Sequence, residues 1–256
     1  MRFSRTALLL LSLTVSACSA RARPAPQADV PVVCELAPAR GPIAPAEGED
    51  GAAIDNADEI VRQVLAREQE RQSLRATFDV EVSYGGGERR AGGALVVRKP
   101  DRFRMRLLTP FGVTVFDYLQ REGRSWVWQP LGAGGSTSER NSLQLFSERG
   151  MGAAFLGQYD VDPATCRIQA QTADCPAGGE RTIRIDLAQQ VIVEDHHPQA
   201  HIRYSEHRLH ESHNLPAHIS ICADAGRLAV QVSIKTYEVD VPLPDDLFQP
   251  PSGAGQ

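Results

Sequence analysis

The chain has 256 residues and a mass of 27.9 kDa, enough for one domain with appendages or two small ones. Hydrophobic residues make up 42% and charged residues 23%, an ordinary globular balance, and the net charge of −5 argues against a surface built to neutralise phosphates. Beyond the N-terminal segment no apolar run approaches the ~18 residues a bilayer-spanning helix needs, and five cysteines are too few for a disulfide-built scaffold.

Arg2 and Arg5 precede the apolar run from Ala7 to Leu13, the charged and hydrophobic regions of a signal peptide spanning 1–17. The small residues of Thr14-Val15-Ser16-Ala17, placed directly before Cys18, resemble the lipobox of bacterial lipoproteins. That resemblance implies a diacylglycerylated Cys18 as the mature N-terminus. Ser19 stands where inner-membrane retention signals place Asp, which implies the outer membrane as destination. Loss of Arg2 and Arg5 takes the net charge from −5 to −7, so no polybasic patch supplements the lipid.

Residues 18–53 read as a flexible, partly polyproline-like tether, with ten Ala and six Pro in positions 19–53. Val30, Val32 and Val33 are the exception and suit a short edge strand beside Cys34. Four cysteines remain after Cys18, which in an oxidising compartment suggests two disulfides and allows three pairings. The short, Pro- and Gly-flanked loop between Cys166 and Cys175 favours a local bridge, leaving Cys34 for Cys222.

A helix follows the tether. Asn56 and Glu59 have capping-box spacing, and Ala57, Ile60, Val61, Val64 and Leu65 repeat at helical period. From Leu74 the period becomes two: Leu74, Ala76, Phe78, Val80, Val82 and Tyr84 alternate with polar residues, a long half-buried strand. Turns at Gly85-Gly86-Gly87, Lys99-Pro100-Asp101 and Thr109-Pro110-Phe111-Gly112 separate it from strands through Ala91–Val97, Phe103–Leu107 and Val113–Gln120. A fifth strand covers Arg124–Gln129. After Gly132–Gly135, Leu143, Leu145, Phe146, Met151, Phe155 and Leu156 read as one or two short apolar helices. Strands resume at Thr182–Leu187, Val191–Val193, Ala200–Tyr204, Ala217–Ala223 and Leu228–Val241. The last changes phase between Ile234 and Tyr237, which a bulge at Lys235-Thr236 would reconcile.

The expected fold is mainly β with α: about ten antiparallel strands in an unclosed barrel, wrapped around the N-terminal helix and a mid-chain helical lid. The barrel domain covers 54–248 and a short tail 249–256.

The run Asp101-Arg102-Phe103-Arg104-Met105-Arg106-Leu107-Leu108-Thr109-Pro110-Phe111-Gly112-Val113-Thr114 resembles the second hairpin of the LolA/LolB-like lipoprotein-localisation superfamily, on its LolB side. The closing run Tyr237-Glu238-Val239-Asp240-Val241-Pro242-Leu243-Pro244-Asp245-Asp246-Leu247-Phe248 resembles the last strand and tail of LolA-like relatives. The order of tether, helix, meander, helical insert and meander matches as well. The long tether, the cysteine pairs and a histidine tract depart from that pattern. The resemblance implies an apolar concave face that receives acyl chains of lipids or lipoproteins, a membrane-anchored protein, and a periplasmic carrier as donor. A carrier is needed because three acyl chains moved bare through water would cost on the order of 30 kcal/mol at ~0.8 kcal/mol per CH₂.

By position, the turn Pro110, Phe111 and Gly112 takes the role of a membrane-inserting loop. Phe78, Val80, Val82, Leu95, Val97, Phe103, Met105, Leu107, Trp126 and Trp128 form the candidate cavity wall. An alternating apolar face is equally the pattern of a filled core, so a structural lipoprotein without carrier activity is one alternative.

All seven histidines lie between 196 and 218. If Ala200–Tyr204 pairs with Ala217–Ile221, His201 and His218 share the hairpin's polar face, with His207, His210 and His213 in its loop. No fixed metal-ligand spacing is present, so a solvated face is expected and no metal or cofactor is assigned; a metal-binding lipoprotein is the second alternative. No nucleophile elbow, phosphate-cradling loop or cysteine nucleophile is found, and no enzymatic activity is expected. Arg102, Arg104 and Arg106 line one strand face, solvated or paired with acids, and Asp245-Asp246 reads as a solvated tail pair.

Overall fold

The computed structural model describes Cys34 and residues 56–84, 87–128, 155, 159–198 and 200–250. Helix α1 spans Ala57–Glu70. The strands are β1 (Ser73–Tyr84), β2 (Gly87–Arg98), β3 (Arg102–Leu108), β4 (Thr114–Arg121) and β5 (Arg124–Trp128). They continue as β6 (Arg167–Gln169), β7 (Thr172–Pro176), β8 (Thr182–Asp186) and β9 (Val191–His197). The last three are β10 (Ala200–His210), β11 (His213–Ala223) and β12 (Leu228–Val239). All twelve form one antiparallel sheet, ordered β5-β4-β3-β2-β1-β12-β11-β10-β9-β8-β7-β6, whose outer strands do not pair to close a barrel. The expectation of about ten strands misses the β6–β7 hairpin. Of the expected helical insert, Phe155 alone is described, in helical conformation and buried; the remainder lies outside the described residues, as do the signal peptide, Cys18, Val30, Val32 and Val33.

Alternation dictates which side chains face inward. Phe78, Leu95, Val97, Phe103, Met105 and Tyr118 share one face with Ile219, Ile221, Val230 and Val232, in one buried cluster. The phase change in β12 resolves as expected. Thr77 pairs with Thr236 and Phe78 with Ile234, so Lys235 is the extra residue of a bulge that keeps both halves facing inward. Gly93 sits directly opposite Phe78, and a Cβ there would lie 2.3 Å from the ring. Only glycine lets that ring lie flat across the neighbouring strand.

α1 covers the concave face with Ala57, Val61, Val64 and Leu65, all buried in the same cluster. Its N-terminus differs from the expected capping box. Asn56 adopts a left-handed conformation (φ 73°) with no side-chain cap, and Glu59 instead engages Arg62 and Gln63 one turn on. The C-terminus is held firmly. Lys99 donates to the Glu68 and Gln69 carbonyls at 2.6 and 2.8 Å, placing a cation on the negative end of the helix. Asp240 Oδ1 accepts from Gln72 N and Ser73 N at 2.7 and 3.1 Å, tying the α1–β1 joint to the end of β12.

The convex face carries a second, smaller cluster. Leu119 packs with Leu243 and Phe248 from the C-terminal segment, and with Val96 and Trp126. Trp126 pairs with Leu119 and Trp128 with Asp117, so both tryptophans lie on the convex face rather than in the expected concave wall; Val127 holds the inward phase. The arginine row is the clamp for this segment. Arg104 makes a bidentate pair with Asp117 (2.8 and 2.6 Å) and donates to the Leu247 and Gln249 carbonyls. Arg106 reaches the same carboxylate at 3.0 Å. Asp245, expected to be solvated, receives both Arg98 and Arg102. Disulfides join Cys34 to Cys222 and Cys166 to Cys175.

Because Asp117 and Arg104 are both buried, removing the guanidinium leaves a carboxylate short of partners. Arg104→Met is expected to cost about 3 kcal/mol in urea unfolding. Arg75→Met, which breaks the exposed pair with Glu238, is expected to cost under about 1 kcal/mol.

Candidate functional site

The concave face is the candidate ligand-binding site, and α1 packs its buried side chains into it. Phe78, Val80, Leu95, Val97, Phe103 and Met105 are buried, and Val82 and Leu107 are partly buried against them. These eight expected wall residues are packed core. A hollow of about 60 Å³ remains elsewhere, between the C-terminal half of α1 and strands β9–β12. Its floor is Ile192, Tyr204, Leu215, Ile219 and Tyr237, and none of the ten expected wall residues lines it. Sequence reading passed over this side because β10 and β11 extend through polar residues 205–214.

The mouth of the hollow is charged. Arg67 donates to the Gln190 carbonyl at 3.0 Å. Arg71, 5% exposed, pairs with Glu68 at 2.9 Å and donates to the Phe155 carbonyl at 3.3 Å. Beside it lies a buried polar cluster. Arg181 forms a bidentate pair with Asp195 (2.8 and 2.5 Å) and stacks over the Tyr159 ring at 4.7 Å. Burial, then the Asp195 carboxylate, pushes the Tyr159 phenol well above its ordinary range. The site therefore combines an apolar floor with a cationic and hydrogen-bonding rim, suited to an amphiphile with a polar head.

At one end of the sheet, the β3–β4 connection holds Pro110, Phe111 and Gly112. Gly112 N donates to the Thr109 carbonyl at 2.9 Å, and Gly112 has φ +78°, which only glycine adopts freely. Phe111 stands 93% exposed at the tip and Val113 48% exposed beside it. The register places Tyr84, Leu108, Ala223 and Leu228 at this same end. Cys34, bonded to Cys222 and donating its N–H to the Gly226 carbonyl, is fixed there too. Four strand spacings, roughly 19 Å along the sheet, separate the Phe111 turn from β11.

The histidines divide differently from expectation. His207, His210 and His213 lie within the extended β10 and β11, not in a loop. His207 lines the hollow, and its Nε2 donates to the Ile192 carbonyl at 3.2 Å. His201 and His218 share the convex face, but His201 meets His196, directly opposite on β9, with rings stacked at 4.1 Å. His218 instead faces Glu206 at 3.3 Å. Glu194, two residues before His196, completes the group on the convex face. The hydrogen bond from His196, then the Arg184 guanidinium, holds the Glu194 carboxyl down at about 2. Burial, then neighbouring His196, lowers His201 to about 4.

No protein-family model and no curated protein matches the chain. Solved structures do match its fold. One is a DUF1329 family protein from Desulfovibrio piger, 11% identical, covering 75% of this chain and 95% of that one, with a TM-score of 0.53. Another is a LolA superfamily protein from Nitrosomonas europaea, 10% identical, covering 74% and 97%, TM-score 0.52. A third is a domain from Vibrio parahaemolyticus described as outer membrane lipoprotein-sorting, 13% identical, covering 75% and 97%, TM-score 0.50. The chain thus has a LolA-like fold.

Burial lowers the His207 pKa, so in the folded protein this imidazole stays neutral where an unfolded chain, with an ordinary value near 6.5, already binds a proton. The unfolded state gains protons first, and stability falls as pH drops below about 6.5 toward the folded value, by up to ~1.4 kcal/mol per pH unit. Urea unfolding at pH 7.5 and 5.0 is expected to show a smaller loss for His207→Gln than for the natural chain.

Proposed function

We propose that this is a lipid-anchored periplasmic protein of the outer membrane that binds acyl chains of lipids or lipoproteins beneath α1 and helps deliver them to the membrane. Its role is closest to that of LolB, with a periplasmic carrier as donor and no catalytic chemistry. The observation that carries this reading is an extended, largely apolar concave face that, among the described residues, no second sheet covers and that α1 screens. The LolA-like fold supports the class of ligand.

Magnitudes decide whether a chain could replace the helix. Lifting Val61, Val64 and Leu65 into water costs about 5–9 kcal/mol at ~1.5–3 kcal/mol per side chain. An entering acyl chain of about 14 methylenes returns ~11 kcal/mol. The exchange is favourable but close to balanced, which suits a ligand that must be released again. The tied α1–β1 joint at Gln72–Ser73 supplies the pivot, with α1's N-terminal half swinging away.

Anchoring at Cys18 agrees with the polarity of the sheet. The 16 residues from Cys18 to Cys34 reach up to about 50 Å. They join the domain at the end that displays Phe111, so an anchored molecule can bring that turn to the bilayer.

A hollow of about 60 Å³, room for a few waters, also suits a second reading: a scaffold lipoprotein whose core is permanently filled. Native mass spectrometry of the full chain exported to the periplasm separates the two. The carrier reading predicts co-purified phospholipid or added triacylated lipopeptide retained one per chain. Absence of both leaves the scaffold. Phe111→Glu is expected to leave folding intact and to slow transfer of acylated cargo to phosphatidylethanolamine–phosphatidylglycerol vesicles about tenfold; an unchanged rate removes Phe111 from the delivery step.

A further inference from the structure

Sheet register brings three metal-ligating side chains together on the convex face, far from the concave site. Glu194 and His196 are alternate residues of β9, so both point outward, and His201 is the direct antiparallel partner of His196 on β10. Their ligand atoms all lie within 4.8 Å of one another. His196 Nε2 is 3.1 Å from Glu194 Oε2, and His201 Nε2 is 3.9 Å from Glu194 Oε1. Two ligand atoms on a tetrahedral ion with bonds of ~2.0–2.1 Å stand about 3.3 Å apart, close to these two spacings, and seating an ion requires the stacked His196 and His201 rings, 14° from parallel, to turn so that both lone pairs converge on it.

A second observation points to a ligand. The His201 side chain is only 9% exposed, and its Nε2 is buried without a hydrogen-bond partner, facing the Glu194 carboxylate. A buried imidazole nitrogen left unbonded costs free energy unless something occupies its lone pair. The carboxylate's other partners are cationic: Arg184 at 3.0 Å, itself paired with Asp174, and Arg203 at 3.3 Å. These guanidiniums orient Glu194 and weigh against hard, purely electrostatic cations. The donor set of two imidazoles and one carboxylate favours borderline ions that bond covalently to nitrogen.

We propose that Glu194, His196 and His201 form a binding site for one first-row transition dication of the Zn²⁺ class, with an open position toward solvent. Three protein ligands leave a fourth place for water or for a donor from a partner.

The test is titration of untagged full-length protein carrying Cys18→Ser, which removes the one thiol outside the two disulfides. Zn²⁺ is expected to bind one per chain, while Mg²⁺ is not bound. His196→Gln, half-buried and mild for folding, is expected to weaken Zn²⁺ at least tenfold; His210→Gln, outside the cluster, is expected to change nothing. In the natural sequence, Zn²⁺ should shift the ring NMR signals of His196 and His201 and spare the other five. No saturable Zn²⁺ binding, shifts confined to the other histidines, or a His196→Gln affinity equal to the parent's would overturn the proposal.

Discussion

The structure turns on one constraint: a twelve-stranded sheet that is largely apolar on one face and that, among the described residues, has no partner sheet to bury it against. Exposing that face would cost far more than the few kcal/mol of net stability a domain possesses. The strands therefore curl, and α1 lies in the concavity, where Val61, Val64 and Leu65 join the same buried cluster as Phe78, Leu95 and Ile219. One buried ion pair, Arg181–Asp195, lies on the inward face beside Tyr159; other polar side chains hold the arrangement from its margins. Lys99 and Asp240 fix the C-terminal end of α1, and Arg104 holds the C-terminal segment on the opposite face.

This division gives the two faces different work. Among the described residues the concave side is covered by α1 and by Phe155, stacked on Phe103, and has a charged mouth formed by Arg67, Glu68 and Arg71. The convex side is locked by a buried ion pair, by the C-terminal segment and by the Cys34–Cys222 disulfide. Motion of α1 then need not disturb the sheet, and a carrier requires that separation between a stable wall and a displaceable lid.

Much of this was legible from residue order. Strict alternation marks β1 to β4, and the change of phase near Lys235 locates the bulge. Where the pattern was short or polar, it failed. Arg167-Ile168-Gln169 is too brief and hydrophilic to declare a strand, so the β6–β7 hairpin was missed. Trp126 and Trp128 outweigh Val127 in any hydrophobicity reading, yet register with Leu119 turns the tryptophans outward. The hollow beside Tyr204 and Tyr237, and the Glu194–His196–His201 group, are products of cross-strand pairing. Their residues are up to 173 and 7 positions apart, and only the turn between β9 and β10 brings the latter together.

The decisive quantity is whether α1 leaves the sheet when an acyl chain enters. Spin labels at Gln63 on α1 and Gln231 on the convex side of β12 report it by pulsed electron paramagnetic resonance. Addition of a triacylated lipopeptide should lengthen and broaden the distance distribution. A narrow distribution that stays unchanged while the lipopeptide is bound would contradict displacement of the helix.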